Sequence, residues 1–320
     1  MVEFLTGSTT LSALVSNLPD LLVFVFVTVP NYALSALLIR EAIIAWKKSW
    51  ATLLSFGIAY GAVNEGLMAK TYFTFQSLSP ALGTASGVGH LFGINWPWVT
   101  GITLFHMIVS ISVPVALSFL IFPDTASQRL LGRKSTIASL GLLVFQIALW
   151  TPILLTLVPG LHQVLPLLVL PIAIVFVFTY VARRLPTPEP GMRLHGSISQ
   201  PISLAIVSIA FFLVTFAPIL RFFAFPVIPI VDLYAEVYRL DATGILATLY
   251  PMVLAALAIA FFVRYSLSES QVLGIVAGVL FIPMVSALAP FDLPAGAPIA
   301  ALIYAACMIA AWIRIHSRDR

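Results

Sequence analysis

The chain has 320 residues, of which 61% are hydrophobic and only 9% are charged, and its mean hydropathy is +1.07. Soluble domains contain about 45–50% apolar and about 25% charged residues, so this composition excludes an ordinary soluble protein and indicates an integral membrane protein. The net charge of +4 would suggest nucleic-acid binding in a soluble protein, but in a membrane protein the distribution of the basic residues matters more than their sum. The single cysteine, Cys307, excludes an intramolecular disulfide and a cysteine-based metal cluster.

Nine apolar runs follow one another along the chain, each long enough to cross the hydrocarbon core of a bilayer as an α-helix. They predict an all-α fold, a polytopic transmembrane helix bundle that forms one integral membrane domain over residues 1–320. The predicted spans cover about residues 21–39, 51–75, 96–122, 136–158, 164–181, 202–220, 244–263, 272–288 and 298–313.

Two connecting segments allow more than one interpretation, and a third is predicted to be helical. Residues 76–95 form either a lid or a plain loop, and the loop is favoured. The apolar, proline-broken stretch 222–231 lies either at the membrane surface or folds back into the edge of the bilayer. Residues 232–244 place Leu233, Val237 and Leu240 at helical spacing, which predicts an amphipathic helix at the interface.

The orientation follows from the positive-inside rule. With nine spans, the side that holds the C-terminus receives 13 of the 16 Lys and Arg residues. The other three are Lys70, Arg221 and Arg239. This asymmetry predicts that the C-terminus is cytoplasmic and the N-terminus is outside, in the plasma membrane of the cell.

The second and third runs carry the one acid and the one histidine that the pattern predicts to be buried, Glu65 and His106. Gly57, Gly61 and Glu65 share one helical face, and small residues on that face let a neighbouring helix approach closely. Glu65 lies ten residues before the end of the second span and His106 ten residues after the start of the third. Because consecutive spans run antiparallel, the two side chains are predicted to lie at matching depth and to face each other.

The candidate site is this intramembrane polar group. Asn64, Glu65, His106 and Ser110 are its principal members, and Thr103 and Lys70 are added with less support. Intramembrane ionisable groups are functional candidates by default, although a Glu–His hydrogen bond that only joins two helices would give the same pattern. Asn31, Ser112 and Gln146 are interpreted as ordinary helix-packing hydrogen bonds.

Two classes of function remain open from the residues. The favoured one is binding or transport of a small solute, ion or proton at the Glu/His site, because transport needs few reactive groups. The alternative is an intramembrane enzyme, a hydrolase or lipid-modifying enzyme, which would need a paired acid and base or an activated nucleophile. The expected partners are the lipid bilayer and a small-molecule or lipid-soluble substrate, with no nucleic acid, no cofactor and no metal site.

Two resemblances bear on these alternatives. The string NEGLMAK with a histidine downstream resembles the motif of the CAAX-type intramembrane glutamate proteases, in which a double glutamate and an arginine precede two histidine motifs on later helices. Asn64 replaces the first glutamate here, and Lys70 is one residue out of place. The strings IREAI, AYGAVNEGLMAKTYF, GINWPWV and LFHMIVSISVPVAL resemble a family of uncharacterised multi-pass prokaryotic membrane proteins, over residues 39–123 only. The first resemblance implies a hydrolase, and the second implies no particular activity.

Overall fold

A computed structural model describes residues 17–73, 90–157, 161–187, 193–194, 197–223, 242–288 and 296–318. Within these residues the fold is all-α apart from a two-stranded antiparallel hairpin, His90–Leu91 with Ile94–Asn95. The helices in chain order are α1 (Leu18–Ala45), α2 (Trp50–Gly61, continued by a π-helical segment, Ala62–Met68), α3 (Trp96–Ile121), α4 (Arg133–Leu157), α5 (Val169–Arg184), α6 (Pro201–Phe223), α7 (Ala242–Arg264), α8 (Glu269–Leu288) and α9 (Gly296–Arg318).

Every predicted span overlaps one of these helices, although most boundaries differ by a few residues, and three of the differences have a structural description. The first helix continues to Ala45 instead of ending at residue 39. The second ends at Met68 instead of residue 75, because Lys70 takes a left-handed backbone conformation (φ 58°) that turns the chain. The fifth is preceded by a 3₁₀-helical segment, Leu161–Leu168, which takes up the start of the predicted run.

Seven of the helices are long and apolar enough to cross a membrane, namely α1, α3, α4, α5, α7, α8 and α9. The described apolar part of α6, Pro201–Phe216, is shorter. Many large apolar side chains of the seven helices point away from the bundle, such as Phe145 on α4, which is 60% exposed, and Phe176 on α5, which is 71% exposed. A lipid-facing surface accounts for this outward apolar character, because hydrocarbon solvates such side chains and water does not.

The central helix of the bundle is α2. Every residue from Ala51 to Gly61 is buried, and α1, α3, α5 and α7 pack around this segment. Thr52 and Ser55 donate hydrogen bonds to the carbonyl oxygens of Ala182 and Phe178 on α5, at 3.3 and 3.0 Å. A helix surrounded by protein can carry Asn, Glu and hydroxyl side chains that would be costly against lipid, and α2 with its π-helical segment carries all three kinds.

Glycines bring α2 and α3 into direct backbone contact. A Cβ atom on Gly57 would lie 2.6 Å from the Cα of Met107, and one on Gly61 would lie 2.9 Å from the Cα of Thr103. The two contacts run in opposite directions along the two helices, so α2 and α3 are antiparallel. This close approach places the site residues of the two helices opposite each other.

A second backbone contact joins α6 and α8, which run parallel to each other. Cβ atoms on Gly274 and Gly278 would lie 2.3 and 2.2 Å from the carbonyl oxygens of Pro201 and Ala205. Only residues 265–268 connect α7 to α8, so α8 begins where α7 ends and the two helices run in opposite directions.

The ends of α1, α3, α5, α7 and α9, with the described residues that follow the first four, meet at one end of the bundle, which we call the basic end. Lys48 donates to the carbonyl oxygen of Leu185 at 2.6 Å, Gln271 donates to that of Ser199 at 2.9 Å, and Arg314 pairs with Asp124 at 2.9 Å. These contacts join the connections after α1, α5 and α7 and the ends of α3 and α9. The helices therefore alternate in direction along the chain.

At the basic end, Arg40 and Glu41 of α1 hold the loop between α3 and α4. Arg40 pairs with Glu41 at 2.7 Å and donates to the carbonyl oxygen of Gln128 at 3.2 Å. The Glu41 carboxylate accepts the backbone N–H groups of Leu130 and Leu131 at 2.9 and 3.2 Å. Glu41 is only 1% exposed, and these donors compensate for the removal of its charge from water.

Several sequence predictions fall wholly or largely outside the described residues. They are the lid or loop at 76–95, of which only 90–95 are described, the re-entrant segment at 222–231 and the amphipathic helix at 232–244.

Candidate functional site

The predicted contact between Glu65 and His106 is present. The Nε2 atom of His106 lies 2.7 Å from the Oε1 atom of Glu65, and the two residues are only 2% and 8% exposed. Gly57 and Gly61 produce this contact, because they let α3 approach α2 closely enough for the short carboxylate side chain to reach the imidazole.

Both residues lie in π-helical segments. Asn64 and Glu65 belong to the segment Ala62–Met68, and His106 and Ser110 belong to the segment His106–Ser112 of α3. A π-helical turn contains an extra residue and rotates the following side chains relative to a regular α-helix, and such turns occur frequently at functional sites. Here two of them face each other across one helix interface.

The Asn64 carboxamide connects the pair to α1. Its Nδ2 atom lies 3.0 Å from Glu65 Oε1 and 3.2 Å from His106 Nε2. On its other side, Asn64 Oδ1 accepts a hydrogen bond from Asn31 Nδ2 at 2.6 Å and a long one from the Tyr60 hydroxyl at 3.5 Å. Asn64 is therefore in direct contact with both members of the pair.

The His106 ring is held on every side. Its Nδ1 atom lies 2.8 Å from the Ser110 hydroxyl, one helical turn further along α3. The rings of Tyr60, Phe105 and Tyr32 lie 5.6, 5.8 and 6.2 Å from the imidazole, measured between centroids. These contacts fix the orientation of the ring and shield it from lipid, so the imidazole meets Glu65 with little freedom to rotate.

The second carboxylate oxygen of Glu65 faces the end of the bundle opposite the basic end. The Thr71 hydroxyl donates to Glu65 Oε2, and the Trp98 indole N–H donates to the Thr71 hydroxyl at 2.9 Å. Asn95 caps the first turn of α3 through Trp98 N at 3.1 Å and bonds the Tyr72 carbonyl through its own N–H at 3.0 Å. Thr71 and Trp98 are half-buried, so this chain leads from the buried carboxylate toward the surface.

Thr103 and Lys70 form no hydrogen bond with Glu65 or His106 among the described residues. The Thr103 hydroxyl bonds the Tyr72 hydroxyl at 2.5 Å. Lys70 is fully buried, and its Nζ atom donates to the Leu67 carbonyl at 2.6 Å and to the Thr151 hydroxyl on α4 at 3.0 Å. No carboxylate among the described residues forms an ion pair with Lys70. Thr103 and Lys70 are thus neighbours of the site through Tyr72 and the turn after α2.

Three further site residues were not among the sequence candidates. The sequence predicts that Asn31 is an ordinary helix-packing residue, and it gives no prediction for Tyr60 and Thr71. Asn31 does join α1 to α2 by a hydrogen bond, but its partner is the site residue Asn64. The spacing of Tyr60 to Asn64, four residues on one helix, is the one signal in the sequence that identifies any of the three.

Carboxylate, imidazole, amide and hydroxyl groups gathered in this way can exchange a proton and bind a polar ligand. Within the part of the chain that the structure describes, no group of three or more His, Cys, Asp or Glu residues is arranged to hold a metal ion. No family model, curated protein or solved structure matches this chain.

Proposed function

We propose that this protein binds and moves a small solute, ion or proton across the membrane, with Glu65 and His106 as the proton-exchanging pair of its site. The single observation that carries the proposal is the buried 2.7 Å contact between carboxylate and imidazole at the centre of the bundle. Ionisable groups are costly inside a membrane protein, and those that occur there mark ion pathways and proton relays.

The geometry supports two positions for one proton between Glu65 Oε1 and His106 Nε2. In the first, the protonated imidazole donates Nε2–H to the carboxylate, and its Nδ1–H donates to the Ser110 oxygen. In the second, the carboxylic acid donates to Nε2, and Nδ1–H donates to the Ser110 oxygen. The Ser110 oxygen accepts from Nδ1–H in both arrangements, so the proton can move along the short contact without displacement of either helix.

The contacts of Glu65 Oε2 supply a route between the pair and one face of the membrane. The Thr71 hydroxyl bonds this oxygen, and the Trp98 N–H orients Thr71 by occupying its acceptor side. A Trp indole only donates, so Trp98 positions the relay while Thr71 is the group that passes a proton. This arrangement supports proton exchange with the face opposite the basic end.

We further propose a nine-span topology in the plasma membrane, with the basic end in the cytoplasm and the N-terminus outside. The alternating helix directions and the contacts among Lys48, Asp124, Leu185 and Arg314 at one end support an odd number of spans. The positive-inside rule assigns that end to the cytoplasm. Glu65 would then exchange protons with the outer face.

The experiment that tests the proposed function compares Glu65→Gln with the parent protein in vesicles. Gln keeps the size and hydrogen-bonding capacity of the side chain but cannot titrate, so pH-driven proton flux is expected to fall at least tenfold while the melting temperature in detergent is kept. Asp124→Asn is the matched control, because that carboxylate is 76% exposed and lies at the basic end.

Equal flux in Glu65→Gln and the parent, with equal stability, would remove Glu65 from the site. The intramembrane enzyme remains the alternative. It would be favoured if the vesicles showed no flux while the protein turned over a lipid-soluble substrate in a Glu65-dependent manner.

A further inference from the structure

We propose that Asn31 and Ser35 on α1 bind a small monovalent cation beside the Glu65–His106 pair. This inference rests on the proposed function in one respect only, which is that the bound cation would be the species transported. It begins from two buried oxygen atoms, Asn31 Oδ1 and Ser35 Oγ, that have no hydrogen-bond partner among the described residues. Native proteins leave few such atoms unpaired, and each one requires an explanation.

The carboxylate of Glu65 fixes which end of Asn31 is unpaired. Asn64 must turn its NH₂ group toward Glu65 Oε1, 3.0 Å away, because two oxygen acceptors would repel each other there. Asn64 Oδ1 therefore faces Asn31 and must receive the Asn31 NH₂ group, at 2.6 Å. Rotating the Asn31 amide by 180° would place two oxygens at this distance. The free group of Asn31 is thus its carbonyl oxygen, an acceptor.

Ser35 adds a second oxygen on the same face of α1. It lies four residues after Asn31, one helical turn further along the regular α-helical segment Val29–Ala45, so the two side chains are stacked along the helix. Asn31 is 1% exposed and Ser35 is 5% exposed, and α1 packs against α4, α2 and the π-helical segment of α3. Neither oxygen is therefore satisfied by bulk water.

The chemistry of these two oxygens selects the kind of ligand. An amide carbonyl oxygen is a hydrogen-bond acceptor, so neither an anion nor an apolar group can pair with it. The nearby Glu65 carboxylate further disfavours an anion at this position. Uncharged oxygen ligands of this type bind hard cations such as alkali-metal ions, and they accept hydrogen bonds from ammonium equally well. Alkali-metal ions and ammonium are both compact cations with a charge of +1, and this is the class of ligand that we propose.

A single buried water is the simpler occupant, since waters commonly bridge unpaired polar groups in protein interiors. The two occupants differ in one measurable property. A water molecule gives no dependence on the cation in solution, whereas a bound cation stabilises the folded protein as its concentration rises.

The test measures the melting temperature of the purified protein in detergent at constant ionic strength, while choline chloride is replaced by sodium, potassium or ammonium chloride. Choline serves as the reference because it is too large for a site formed by two adjacent side chains. At least one small cation is expected to raise the melting temperature by about 3 °C or more. The cation that raises the melting temperature is then identified as the ligand of the site.

Ser35→Ala and Thr215→Val form a matched pair of variants. Each removes a buried hydroxyl that has no partner among the described residues, but Thr215 lies on α6, away from Asn31. Neither variant breaks a hydrogen bond of the described residues, so both are expected to fold. Ser35→Ala is expected to need at least tenfold more cation for the half-maximal shift, whereas Thr215→Val keeps the parent's response.

The absence of a cation-dependent shift in the parent would overturn the proposal and leave a buried water as the occupant. A shift that Ser35→Ala leaves unchanged, or that both variants weaken equally, would also overturn it. The outcome is separable from the proposed function. A parent that responds to cation while Glu65→Gln keeps full flux would retain the binding site and lose the transport role.

Discussion

Replacing His106 with Ala tests whether the Glu65 carboxylate depends on the imidazole. The variant removes the 2.7 Å contact and the ring packing against Tyr60 and Phe105, and it leaves Asn64 as the one remaining donor to Glu65 Oε1 among the described residues. Breaking a buried pair by removing one partner costs about 3–5 kcal/mol, largely because the other charge stays buried. We expect a loss of stability of this size.

The same change in a Glu65→Gln background separates the two contributions. The neutral amide needs no compensating charge, so His106→Ala then costs only the lost packing and hydrogen bond. The difference between the two backgrounds, the coupling free energy, is expected to be about 1–3 kcal/mol. It is measured from unfolding of the parent, both single variants and the double variant in mixed micelles titrated with SDS.

The control for this cycle is the same set of measurements with Asp124→Asn in place of Glu65→Gln, because Asp124 pairs with Arg314 at the exposed basic end. Its coupling with His106 is expected to be close to zero. A Glu65–His106 coupling below about 0.5 kcal/mol would refute the reasoning, since the cost of His106→Ala would then not depend on a buried carboxylate.

Two further predictions address the topology and the packing. Reporter fusions at Gly132, Pro188 and the C-terminus are expected to be cytoplasmic, and an external signal at Pro188 would end the nine-span model. Gly57→Val is expected to cost at least about 1–3 kcal/mol in the same SDS titration, because its Cβ would lie 2.6 Å from the backbone of α3. Gly141→Ala meets no atom within 4 Å and is expected to be neutral or to stabilise α4 by up to about 1 kcal/mol. Equal costs for the two glycine variants would contradict the close contact of α2 and α3.

The helices and the central contact were predictable because they depend on local patterns. Apolar runs of bilayer length identify helices directly, since backbone polar groups in lipid must be satisfied within each helix. The Gly57, Gly61 and Glu65 spacing gives one face of a helix, and the matching depths of Glu65 and His106 follow from the antiparallel order of adjacent spans. These signals were sufficient to pair two residues 41 positions apart in the chain.

The remaining site was not predictable because it depends on which faces of the helices pack against each other. Asn31 belongs to the site only because α1 packs against α2 beside Asn64, and hydrophobic periodicity does not specify which helices are neighbours. The π-helical segments also leave no periodic signal, because one inserted residue changes the register within a single turn. Lys70 was placed near the pair by sequence distance, but its left-handed backbone directs the side chain to Thr151 on α4.

The position of α1 has a mechanical consequence. Asn31 meets the interior pair through Asn64, and Glu41, ten residues or about 15 Å further along the same helix, holds the loop between α3 and α4 at its backbone amides. One regular helix therefore joins the interior site to the loop at the basic end, and a shift of α1 along its axis would move both contacts together. If a ligand of that loop shifted Glu41 along the helix axis, the reciprocity of linked equilibria would require that a ligand of the interior site change the affinity of the loop by the same factor.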